Sequence, residues 1–158
     1  MKVIHIDASN KDGASDLKNA YHSGNHIFMM VRRDGCPPCE STKPEWLKIG
    51  HSSKIIPKNG IIADIEAQAL SEIGYMKPAV NVVGFPTMVC IKNKKIKAYE
   101  ESMSGKRDET NGKSRTVDSF VNWIVEEYTK PTTKTRKMKG GSKRKSKRTR
   151  RRNKKTRR

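Results

Sequence analysis

The residues of this chain best placed to do chemistry are Cys36-Pro37-Pro38-Cys39. Two thiols at that spacing reach each other when a helix starts at the motif, and can cycle between dithiol and disulfide. The first thiol then lies at the positive end of the helix, which favours its thiolate, the reactive species. In this reading Cys36 attacks a substrate disulfide and Cys39 resolves the mixed disulfide. Arg32 and Arg33 assist if they point toward the site, and Asp34 opposes them. Pro37 suits the first helical turn, where a missing N–H is no loss. Pro38 also removes a donor, so the motif is expected to be stiff. A competing reading of CxxC is half of a zinc site, but structural zinc needs four ligands, usually two such pairs. Only Cys90 is left, and His5, His22, His26 and His51 show no paired spacing near it. A third reading is an inert relic. The redox pair is the reading adopted, with no metal and no cofactor expected.

A dithiol works only if the surrounding elements hold it. Val3 to Ile6 alternates as a short strand should. Ser15 or Asp16 is expected to cap a helix running to about His22, ended by Gly24-Asn25. Ile27 to Val31 is apolar at every position, as in a central strand covered on both faces. A helix follows from Glu40 to Ile49, with Pro44 expected to kink it. Gly60 to Ile65 reads as a strand and Ala67 to Ile73 as a short helix. Pro86 to Ile91 and Ile96 to Tyr99 suit a hairpin turned at Lys92-Asn93-Lys94-Lys95. After a polar loop, Thr116 can cap a final helix whose Val117, Phe120, Val121, Trp123, Ile124 and Tyr128 spread over one apolar stripe, and Pro131 is expected to stop it. Cys90, Trp46, Trp123 and Phe120 read as core residues. Asp64 is expected to end its strand and cap the next turn, with little support for catalysis.

The order βαβαβαββα, the CxxC behind an apolar strand, Pro44 five residues after Cys39, and Gly84-Phe85-Pro86-Thr87 before another strand together resemble the thioredoxin superfamily. The likeness to thioredoxin and protein disulfide isomerase domains covers about residues 3–128. It implies an α/β thioredoxin fold, a central mixed sheet flanked by helices. It also implies that Pro86 is the family's cis-proline, that Phe85 contacts substrate, and that Pro37, Pro38 and Pro86 line the substrate surface. Gly105-Lys106-Arg107 followed by Val121-Asn122-Trp123 is similar to the end of protein disulfide isomerase domains, which implies that Arg107 modulates the resolving thiol. Two positions depart from the family pattern. Gly35 stands where the family usually has Trp, and Met30 where it buries an acid that shuttles protons. Reductases, oxidases and isomerases share these residues.

Charge divides the chain in two. Of its 35 Lys and Arg, 17 lie in residues 130–158 beside no Asp or Glu, leaving 18 against 16 acidic residues in 1–129, a net of +2. The basic segment has only Met138 as a sizeable apolar residue and is expected to be disordered by itself. The expected domains are therefore a thioredoxin-like 1–129 and a tail, 130–158. Lys143, Arg144, Lys145, Lys147, Arg148, Arg150, Arg151 and Arg152 are candidate phosphate contacts. They would bind nucleic acid or another polyanion in a salt-sensitive, sequence-indifferent way. No aromatic is interleaved to stack on bases. The same residues suit a nuclear-localisation signal or an anionic lipid surface. A thioredoxin-like domain with a Gly-Gly-Ser and Lys/Arg-rich tail resembles proteins encoded by large double-stranded DNA viruses.

Neither a long apolar leader nor a run of the ~18 apolar residues needed to span a bilayer is present. Three cysteines are too few for a disulfide scaffold. The expected setting is intracellular, cytoplasmic or nuclear, or the virion, and the expected activity is thiol–disulfide exchange on protein substrates. The alternative is a redox-inactive thioredoxin-like binding or packaging protein whose tail holds nucleic acid.

Overall fold

Alternation along three strands decides which face of the sheet each residue takes. In the computed structural model, which describes residues 1–52, 59–76, 82–101, 107–108 and 112–130, β1 (Lys2–Ile6), β2 (His26–Arg32) and β3 (Gly60–Glu66) run parallel. β4 (Thr87–Lys92) is antiparallel to β2, and β5 (Lys95–Ala98) is antiparallel to β4. The sheet order β1-β3-β2-β4-β5 puts β3 and β2 inside. Every residue of both strands is buried, as strands covered on both faces require.

Side chains alternate between faces. Ile4, Ile6, Ile27, Met29, Ile61, Ala63 and Ile65 meet Leu17 and Ala20 of α1 (Gly13–His22) on one face. Phe28, Met30, Ile62, Met88 and Cys90 meet Trp46 of α2 (Pro37–Lys48) and Phe120, Trp123 and Ile124 of α3 (Val117–Thr129) on the other. Trp46, Trp123 and Phe120 are fully buried, as their sequence positions suggest. By the same period His5, Asp64, Glu66 and Arg32 belong to the α2–α3 face, among apolar neighbours.

Local signals explain most boundaries. Thr116 caps α3 by accepting the Ser119 N–H. Gly24 sits at φ +71°, a backbone conformation in which an L side chain is strained, and a Cβ there would also push the Asn93 side chain aside. Asn93 and Lys94 take φ 49° and 62°, the paired positive values of a two-residue hairpin turn.

Four expectations need correction. α1 begins at Gly13 with Asp12 in the capping position and no side-chain cap, so neither Ser15 nor Asp16 starts it. α2 begins at Pro37 rather than Glu40. Ala67–Met76 forms 3₁₀ turns rather than an α-helix, broken where Ile73 leaves helical geometry. The loop before α3 carries a two-stranded pair, β6 (Arg107–Asp108) and β7 (Gly112–Lys113). α2 runs through Pro44 to Lys48. No helix among the described residues is long and apolar enough to cross a membrane. Pro131 and the tail candidates from Lys143 to Arg152 lie outside the described residues.

Candidate active site

Cys36 occupies the capping position of α2 in extended geometry, and Pro37 and Pro38 fill the first helical positions. The N–H groups of Cys39 and Glu40 donate to the Cys36 carbonyl at 2.9 and 3.0 Å, which closes the first turn over the two prolines. Cys36 and Cys39 stand at disulfide distance, with Cα atoms 5.2 Å apart. Cys36 is 6 % exposed against 1 % for Cys39. Both residues are buried, Cys36 the less so, and Cys36 lies at the positive end of the helix.

Antiparallel pairing brings the second part of the site alongside. Val31, near the end of β2, pairs with Thr87 at the start of β4, so the segment before Thr87 lies next to the loop after β2. The Phe85–Pro86 peptide bond is cis, and Thr87 Oγ1 donates to the Gly84 carbonyl at 2.6 Å. Cys36 Sγ lies 3.8 Å from the Phe85 carbonyl oxygen. Around that contact Pro37 and Pro38 are exposed and Phe85 is half-buried. Val83 is 88 % exposed. The structure thus gathers Cys36, Cys39, Pro37, Pro38, Phe85 and Pro86 into one patch. The backbone of Arg107 lies in β6, and its side chain is outside the described residues.

The two arginines beside the motif part company. The Arg33 guanidinium carbon sits 5.4 Å from the Phe85 ring centroid, at the rim of the patch. Arg32 is buried instead. Its Nε donates to both Asp64 oxygens at 3.1 and 3.2 Å, and its Nη1 donates to Asp34 Oδ1 at 2.6 Å. Its charge is thus engaged by two carboxylates rather than offered to the thiols. Asp64 is likewise not a strand end or a turn cap. It lies within β3, wholly buried, beside Met30 in the strand register. Asp64 Oδ2 is 2.7 Å from His5 Nδ1, and His5 Nε2 is 2.9 Å from Asp7 Oδ2. Asp7 also accepts from the Ser9 hydroxyl and from the Asn10 and Ser9 N–H groups, which together hold its carboxyl well below the usual carboxylate range. Glu66, the register partner of Arg32, has its carboxyl pushed up by burial and then by Asp34.

This chain of charged groups is the arrangement least visible in the sequence. Its one sequence signal is that Asp64 and Arg32 interrupt or follow runs that are otherwise apolar. Cys90 lies buried on β4, and burial, then Glu127, pushes its thiol up to about 12. It is unreactive near neutrality.

No known family profile matches the sequence, and no curated protein matches it. Solved structures do. A zinc-bound form of human ERp44 superposes with a TM-score of 0.54 at 14 % identity, covering 82 % of this chain and 32 % of that one. The first thioredoxin domain of mouse protein disulfide-isomerase A4 superposes with a TM-score of 0.50 at 19 % identity, covering 82 % of this chain and 80 % of that one. Chloroplastic thioredoxin z gives 0.51 at 15 % identity, with 82 % and 97 % covered. The chain spans about a third of the ERp44 chain and about half of an ERdj5 fragment it also matches, at 32 % and 51 %. The fold is the thioredoxin fold: a mixed five-stranded sheet with helices on both faces and a cysteine pair at the start of α2.

Proposed function

We propose that this protein is a thiol–disulfide oxidoreductase acting on protein disulfides, with Cys36 as attacking and Cys39 as resolving thiol. The observation that carries it is the pair itself. The two sulfurs stand at disulfide distance at a helix N-terminus, the outer one beside the Phe85 carbonyl. In the reducing direction the Cys36 thiolate forms a bond to one client sulfur and the client disulfide breaks. The departing client thiolate takes a proton from solvent. The Cys39 thiolate then attacks Cys36 Sγ, and the second client thiolate leaves. The client gains two electrons and the protein ends with Cys36–Cys39 joined; oxidation of a client runs the same steps backwards. Exposed Pro37 and Pro38 and half-buried Phe85, set by buried Pro86 behind it, form the surface on which the client lies, with Arg107 a modulator of the resolving thiol.

An insulin-reduction assay is expected to show turnover that Cys36→Ser abolishes, while Cys39→Ser traps a mixed disulfide. Equal rates in wild type and Cys36→Ser would defeat the proposal. The 17 positive charges of residues 130–158 support a second role, placing the enzyme against nucleic acid or inside a virion. The rival, a redox-inactive packaging module, rests on that charge together with Gly35 and Met30, where the family has Trp and a buried acid.

A further inference from the structure

Arg33, Asp34 and Gly35 join β2 to Cys36, and all three are exposed. Gly35 sits at φ +69°, and a Cβ built on it meets nothing within 4 Å. The turn that delivers the attacking thiol therefore has little packing of its own. Among the described residues three side-chain contacts tether it: Arg33 over the Phe85 ring, a hydrogen bond between Asp34 and buried Glu66, and the 2.6 Å ion pair from buried Arg32 to Asp34. The ion pair is the one locked in turn by a second buried charge. Arg32 is 5 % exposed and Asp64 1 %, so the sheet end of the tether is fixed in the protein interior, while Asp34 at 63 % reaches solvent.

Burying charges in this way is not explained by stability. The desolvation of such a pair commonly exceeds its mutual attraction, and apolar side chains of similar volume do as well or better. Arginine suits a different task. Its planar fork holds two carboxylates in fixed directions, whereas lysine offers a point charge on a flexible stem. Here Nε is committed to Asp64 and Nη1 to Asp34.

We propose that Arg32, locked by Asp64, is a positioning residue for Cys36: it clamps Asp34 and so sets the geometry of the turn that presents the attacking thiol. The proposal rests on the redox reading above. His5, which contacts Asp64 and is partly exposed, together with Asp7 and Glu66, completes the set of titratable groups around the clamp.

The test uses the full chain and two readouts: the equilibrium constant of the Cys36–Cys39 pair against glutathione, and the pH profile of Cys36 alkylation. Asp34→Ala cuts the tether at an exposed side chain, so its urea midpoint should match wild type. It is expected to move the equilibrium constant about threefold, equivalent to about 14 mV at 29.6 mV per tenfold, and to displace the alkylation profile. Asp34→Asn, which still accepts from Arg32 without a charge, should stay at the wild-type value. In an Arg32→Met/Asp64→Leu background, Asp34→Ala should add nothing. If that background does not fold, Arg32→Lys replaces it with the same expectation. An Asn variant that behaves like Ala, or an Ala effect undiminished in the background, would assign the shift to the Asp34 charge acting directly and overturn the proposal. So would an Asp34→Ala protein indistinguishable from wild type. A wild-type pair that never equilibrates with glutathione overturns the redox reading itself, a different result from a pair that equilibrates and ignores Asp34.

Discussion

His26 opens β2 with its ring held between aromatics, Tyr128 at 4.2 Å and Phe28 at 6.2 Å between centroids. Among the described residues its Nε2 is buried without a partner. Burial, then the Lys92 charge, pulls its proton affinity below the ordinary value of 6.5. A histidine whose folded affinity is depressed contributes stability that is present above its unfolded value and lost as pH falls through the folded one. Urea unfolding followed from pH 7.5 down to 5 should therefore show falling stability in wild type. His26→Gln should flatten that fall, so that the gap between the two proteins narrows toward pH 5. A gap independent of pH would remove His26 from the account. At this scale the sequence was most readable where chemistry is local. The spacing of Cys36 and Cys39 already names a dithiol, and Cys90 in an apolar run already reads as a buried thiol. Asp64 was misread because its role depends on Arg32 and His5, residues distant along the chain.

α2 carries the site at one end and its anchor near the other. Trp46 is fully buried, meets Phe120 edge to face at 5.1 Å, and donates its indole N–H to the Ala63 carbonyl at 3.3 Å. Glu45 links the same helix to α3 by accepting the Val117 N–H at 3.0 Å. Its carboxyl is held low first by Lys48 and then by that N–H. Replacing Trp46 by Ala should cost about 3–5 kcal/mol, the usual penalty for emptying a large aromatic site. The measurement is a urea midpoint at unchanged slope. A loss under about 1 kcal/mol would mean that α2 is held mainly elsewhere. Most elements were legible because periodicity is a property of short stretches: the apolar run Ile27 to Val31 within β2, the stripe on α3, and the Asn93-Lys94 turn. The 3₁₀ run at Ala67–Met76 was not. Its Ala, Gln, Leu and Glu are good α-helix formers, so local propensity pointed to the wrong winding for a run that buries Ala69, Ile73 and Met76 in the core.

Across the whole molecule, charge and chemistry occupy different segments. Deleting residues 130–158 removes 17 basic side chains and leaves a portion near neutrality. That portion should keep the thiol–disulfide activity of the full chain and lose retention on a DNA column. The intact protein's retention should fall steeply between 50 and 200 mM salt, by roughly 10³-fold or more if six or more phosphates are engaged. A truncated chain that still binds DNA would move the contact into the folded portion. One that loses turnover would favour the packaging reading. Sequence alone settled what adjacent residues settle among themselves: two cysteines with two residues between them, strands and helices with their own periods, and 17 positive charges crowded into residues 130–158. Tertiary structure decided which distant residues meet. It set Phe85 beside Cys36 and locked Arg32 to Asp64. Strand order and register are fixed by the summed packing of a whole sheet, and no single stretch of chain encodes that sum.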